Sequence, residues 1–239
     1  MRCIIILLTW FASIGLGFSA EGSKPGDFPS AIQSIMANLR TAASYTRTGN
    51  IALAQIETEA AVAAWDSLQP SATIPSPTYQ PAAVAEFLDK GRQRLATATA
   101  GLGNGDNDAA GRELLALRQS FHDLRRRSGL YDLGDCIFEI APAMEKMRAA
   151  AIRLGEQPGP PRAEDTIAAA SAFRDRLQRC DSWASTDVAK QPEFRRLIDG
   201  AITSAGEIAH AAMAGDGPLV HRYLIELQSY AQLLDFRFG

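Results

Sequence analysis

Apolar residues recur every three to four positions through nearly the whole chain after residue 28, and no useful stretch alternates with the two-residue period of a strand. The pattern predicts eight helices. The first, about Ser30 to Thr46, places Ile32, Met36, Leu39 and Ala43 on one stripe and stops at Gly49-Asn50. The second, about Ala52 to Leu68, presents Leu53, Ile56, Ala60 and Ala63 and carries Trp65 near its end. The segment QPSATIPSPTYQP, with its prolines, is a linker. A third helix, about Ala82 to Ala100, stops in GLGNGDND. A fourth, about Ala109 to Arg127, aligns Leu114, Leu117, Phe121 and Leu124 and is broken by Ser128-Gly129.

The second half repeats this grammar. The fifth helix, about Leu133 to Leu154, shows Ile140, Met144, Met147 and Ala151, and Pro142 either kinks it or marks the start of its regular part. After GEQPGPPR comes a sixth, about Ala163 to Ala184, with Ile167, Ala170, Leu177 and Cys180. Beyond ASTDVAKQP lie a seventh, about Glu193 to Ala214, and an eighth, about Pro218 to Phe238, hinged at Gly215-Asp216-Gly217.

Matching residues suggest an internal duplication. Ile32, Met36, Leu39-Arg40 and Ala42-Ala43 correspond at one constant offset to Ile140, Met144, Met147-Arg148 and Ala150-Ala151. Trp65-Asp66-Ser67 corresponds to Cys180-Asp181-Ser182, Glu86-Phe87 to Glu193-Phe194, and Leu114, Leu117 and Leu124 to Leu224, Leu227 and Leu234. The expected architecture is all-α: tandem antiparallel up-down four-helix bundles over 28–128 and 130–239, or the same helices fused into one elongated bundle.

Composition narrows the setting. Aromatic residues are 8% of the chain and alanine-rich segments dominate, which favours closely packed helices. The opening MRCIIILLTWFASIGLGFSA has a basic start, an apolar run from Ile4 to about Leu16 and small residues near position 20, the layout of a signal peptide over 1–20. Its apolar run is shorter than the roughly 20 residues of a membrane span, and no second such run follows. The expected location is therefore periplasmic or secreted, with no membrane span in the mature chain. The formal charge of -3 becomes -4 without Arg2, which argues against a nucleic-acid partner.

Two cysteines remain after export, Cys136 and Cys180. Residue 158, midway between them, is the first proline of the loop joining the fifth and sixth helices, so both reach one level of that hairpin and an oxidising compartment would pair them. Such a bond is worth roughly 2–4 kcal/mol. The repeat puts Phe28 and Trp65 at the equivalent places, where an aromatic contact would substitute for the staple.

Candidate chemistry is sparse. There are three histidines and no HExxH, CxxC, Gly-rich phosphate loop or GxSxG, so no catalytic residue and no enzyme class is indicated. His210 and His221 are symmetric about the Gly215-Asp216-Gly217 turn and are candidates to begin a transition-metal site, against the plainer expectation of a solvated hairpin tip. Arg125-Arg126-Arg127 is a candidate to receive an acidic partner or a phosphate, against the plainer expectation of a solvated helix end, since three adjacent residues point around the helix; Tyr45, Trp65 and Trp183 read as core or interface packing.

The segment Phe121-His122-Asp123-Leu124-Arg125-Arg126-Arg127, closing a fourth amphipathic helix, resembles the last helix of the cytochrome c′ family. His122 matches that family's haem-attachment histidine, but Arg118 and Phe121 stand at its two cysteine positions, so covalent haem is not implied. The related b-type four-helix cytochromes take a methionine from the first helix and a histidine from the last. On that resemblance Met36 and His122 would be the ligand pair for a non-covalent haem b. Against this, Met36 sits on the core stripe and recurs as Met144. Two functions are therefore expected. The first is an exported, non-enzymatic bundle without a cofactor that binds a protein or small-molecule partner, accessory to a redox or metal-handling pathway. The alternative is a haem- or metal-binding electron-transfer or sensor protein.

Overall fold

In the computed structural model, residues 28–68 and 79–239 are described; the signal-peptide expectation and nearly all of the proline-rich linker fall outside them. The described residues are helical, with no strand: α1 (Phe28–Thr48), α2 (Ile51–Ser67), α3 (Pro81–Gly103), α4 (Asn107–Arg127), α5 (Leu133–Phe138), α6 (Ile140–Glu156), α7 (Pro160–Ser182), α8 (Thr186–Ala189), α9 (Pro192–Met213) and α10 (Gly217–Phe238). Neighbour packs neighbour in two closed sets, α1 with α2 and α4, α3 with α2 and α4, and then α6 with α7 and α10, α9 with α7 and α10. Each set encloses its own apolar core, one drawn from Phe28 to Leu124 and the other from Cys136 to Leu234.

One device makes three of the hairpin turns. Gly49, Gly105 and Gly215 take φ of 75°, 76° and 72°, the left-handed region open to glycine. The next residue, Asn50, Asp106 or Asp216, then caps the following helix by accepting from the backbone N–H of Leu53, Ala109 or Leu219. Its own N–H closes the preceding helix on Tyr45, Gly101 or Ala211.

The fifth predicted helix is two. Pro142 has no N–H to give the carbonyl of Phe138, four residues back, and its ring crowds that carbonyl. The helix breaks at Glu139, so α5 is a separate six-residue block started by an Asp132–Asp135 capping box. The expected loop ASTDVAKQP also contains a helical turn, α8, capped by the Ser185 hydroxyl.

The stripe expected on α2 is the wrong one. Leu53 and Ile56 are exposed, as are Ala60 and Ala63, and the buried positions are Ala54, Thr58, Ala61 and Trp65. Alanines surround this helix, so small apolar side chains do not mark a face; the indole does. Trp65 fills the space that the missing side chain of Gly91 leaves, and a Cβ there would stand 2.0 Å from its ring. Its Nε1 donates to the Leu88 carbonyl at 3.2 Å.

Cys136 and Cys180 form a disulfide with their Cα atoms 5.4 Å apart, both buried. The aromatic counterpart expected of Phe28 and Trp65 is not a mutual contact. Phe28 meets Tyr79 edge-on and Trp65 leans on Phe87, because neither ring needs to reach across its hairpin as sulfur does. Counted from the shared Gly-Asp turns, the buried Val84, Phe87, Leu95 and Ala98 fall level with the buried Phe194, Leu197, Ala205 and Ile208. This register places the Glu86-Phe87 match about one helical turn away from where the residue names put it.

Candidate functional site

The two cores do not merge, and what lies between them is charge. α4 projects Arg118, His122 and Arg125 at i, i+4 and i+7, a single stripe aimed at the second set of helices. Arg118 makes a two-pronged bond to Asp235 of α10, Nη2 to Oδ1 at 2.6 Å and Nη1 to Oδ2 at 3.1 Å. Arg125 donates from Nε to both oxygens of Asp135 at 2.9 and 3.1 Å and from Nη2 to Asp132 at 2.6 Å. Burial works against the Arg125 cation, but Asp135 and Asp132 outweigh it and hold its pKa above the ordinary arginine value. Arg126 approaches Glu139 at 3.5 Å and Arg127 reaches the Asp123 carbonyl. Arg125 is thus part of the seam, and the expected solvated helix end describes only its two successors.

His122 is buried, with Nδ1 3.0 Å from Asp135 Oδ1 and Nε2 3.1 Å from Glu139 Oε1. Two carboxylates satisfy both ring nitrogens at once when each carries a proton. Glu139 also receives the Tyr131 hydroxyl at 3.1 Å and Arg176 at 2.9 Å.

These partners set a pH profile. Burial pushes Glu139 upward, but hydrogen bonds from Arg176, Tyr131 and His122 overcome it and leave the carboxyl below its ordinary 4.5. The stability it contributes is complete above that value and is lost as pH falls through the lower folded-state pKa. Tyr131 moves the other way, to about 12, through burial and then the Glu139 charge. An unfolded phenol ionises near 10.0 while the folded one stays neutral, so folding is penalised as pH rises from there toward 12. Urea midpoints measured across pH are expected to decline on both flanks, with a shallower alkaline decline in Tyr131→Phe; an unchanged alkaline limb in that variant would contradict the assignment.

Alongside the ionic seam lies a cleft of about 880 Å³, within the size range of small-molecule sites. Met36, Ala37 and Arg40 of α1 form one wall, α4 supplies Arg118 and Phe121, and Leu133, Phe138 and Phe238 come from α5 and α10. Arg118 lies over the Phe138 ring at 5.0 Å, so the floor is both cationic and aromatic. Trp183, 46% exposed, stands at the rim with its ring 5.1 Å from that of Tyr131.

Met36 and His122, the pair implied by the cytochrome resemblance, both line this cleft. As arranged, they do not suit a haem iron, because both ring nitrogens of His122 are engaged by carboxylates. His210 lies exposed beside Glu207. His221 lines a separate apolar pocket of about 1000 Å³ at the hairpin tips, of which His210 is not a lining residue. Among the described residues no group of three or more His, Cys, Asp or Glu is placed to hold a metal ion. No described helix is long and apolar enough to cross a membrane.

The site residues that sequence reading passed over are Arg40, Arg118, Asp135, Glu139 and Asp235. One signal was present: Arg118, His122 and Arg125 follow helical spacing along the flank of the Leu114-Leu117-Phe121-Leu124 stripe, where long polar side chains are seldom left bare. Comparison with models of protein families, with characterised proteins and with solved structures finds no match to this chain.

Proposed function

We propose that this chain is an exported, non-enzymatic binding protein that holds its partner in the cleft between the two helical sets. The observation that carries the reading is the cleft itself: both sets contribute walls, and the side chains beside it are fixed by the two-pronged Arg118–Asp235 bond and by Arg125 held on Asp135 and Asp132. Walls held in this way cost little ordering on binding, which is the general route to affinity without chemistry. The buried Cys136–Cys180 bond and the opening apolar run agree with an oxidising, extracytoplasmic setting. The absence of any recognised nucleophile or metal motif in the sequence accords with binding as the activity.

Native mass spectrometry of the protein isolated from the exporting cell tests this. The expected spectrum shows a chain cut near residue 20, two hydrogens lighter than the thiol form, with an added mass that disappears in Ala37→Trp. Ala37 lines the cleft, so an indole there obstructs it, and the melting temperature is expected to stay unchanged. A wild-type chain carrying nothing, or one whose added mass survives in Ala37→Trp, would overturn the cleft as the binding site.

A further inference from the structure

We infer that the cleft selects a small organic carboxylate, with the acid group against the Arg40 guanidinium and the apolar body against Met36, Phe121, Phe138 and Phe238. The inference rests on the cleft being the binding site.

Three arginines reach the cleft from α1 and α4, and two of them are spoken for. Arg118 is taken by Asp235, and Arg125 by Asp132 and Asp135. Arg40 differs. Its Nε is sealed from solvent without an acceptor, and among the described residues its guanidinium forms no hydrogen bond or close ion pair. A buried N–H of a charged group normally finds an acceptor, because leaving it bare forfeits its hydration with nothing in return. Burial and the neighbouring Arg118 both weigh against the Arg40 cation and outweigh the pull of Asp235, which is already bonded to Arg118. Of these three guanidinium groups Arg40 is therefore the one with no carboxylate bonded to it among the described residues, and the acid group of a ligand would be its partner.

The choice of anion follows from the walls. A planar carboxylate matches the guanidinium fork. Inorganic phosphate would bring no apolar surface for the aromatic floor. Simple carboxylic acids with a ring or a short chain satisfy both requirements and fit the volume.

Isothermal titration of the full chain with benzoate, octanoate, octan-1-ol and inorganic phosphate decides the matter. At least one of the two carboxylates is expected to bind saturably, one per chain, while octan-1-ol and phosphate do not. Arg40→Met, which keeps the aliphatic stem, is expected to weaken that binding tenfold or more, and Arg40→Lys to fall between. Circular-dichroism melts of both variants establish that they fold, with Arg40→Met expected to melt no lower than the parent. Absence of carboxylate binding, equal binding in Arg40→Met, or binding of phosphate alone overturns the inference. If Ala37→Trp abolishes the native added mass while Arg40→Met retains it, the cleft reading stands and the carboxylate assignment falls.

Discussion

Asp135→Ala is expected to lower the free energy of unfolding by about 3–5 kcal/mol, the scale on which breaking one side of a buried ion pair is felt. Asp135 is 5% exposed; its two oxygens share the Arg125 Nε–H, and it also receives His122 and the Asp132 backbone N–H. Removing the carboxylate leaves the largely buried Arg125 guanidinium with Asp132 alone and the buried His122 imidazole with Glu139 alone, and it dissolves the capping box that starts α5. Asp132→Ala supplies the comparison. It removes the N-cap of the same box and one Arg125 contact, but its side chain is 51% exposed, so a loss of about 1 kcal/mol is expected. Urea unfolding followed by circular dichroism measures both. A loss below 1 kcal/mol for Asp135→Ala would mean that water takes over the partners, and the seam would not be a dry one.

Loss of the Cys136–Cys180 bond should cost nearly as much. It closes a loop of 44 residues, for which loop-closure entropy gives roughly 4 kcal/mol. In a chain of this size that corresponds to a fall in melting temperature of roughly 10 °C. Both sulfurs are buried, so the paired variant Cys136→Ala with Cys180→Ala is a cleaner test than reductant added to the folded protein, and alanine brings no unsatisfied hydroxyl into the core. Calorimetry reads the shift. A variant melting within a degree or two of the parent would show that α5 holds its place by packing and charge alone.

Where local rules act, the sequence was readable. Gly49, Gly105 and Gly215 mark turns because only glycine takes their backbone angles comfortably, and the following Asn or Asp marks the next cap. The cysteine pairing was readable because an antiparallel hairpin maps positions symmetrically about its turn. The stripes of α4 and α6 were readable because large apolar side chains recur there at helical spacing, Leu114, Leu117, Phe121 and Leu124 on the one and Ile140, Met144 and Met147 on the other. On α2 they do not, and only counting back from Trp65 recovers Ala61, Thr58 and Ala54. The seam was out of reach for a different reason. Arg118 and Asp235 lie 117 residues apart, and no spacing rule links helices of two separate cores. His122 invited reading as a metal ligand since its carboxylate neighbours, Asp135 and Glu139, come from beyond the next turn and from a helix that periodicity had merged with its successor.

The break at Glu139 gives α5 two allegiances. Its Cys136 is bolted covalently to α7 of the second set, while the adjacent residue, Asp135, grips Arg125 and His122 of the first. A six-residue block fastened in this way works as a rivet through two plates. Any turning of one helical set against the other must either tear the charged grip or drag α7 along, so the width of the gap beside it is fixed by a fragment that a single proline cut free.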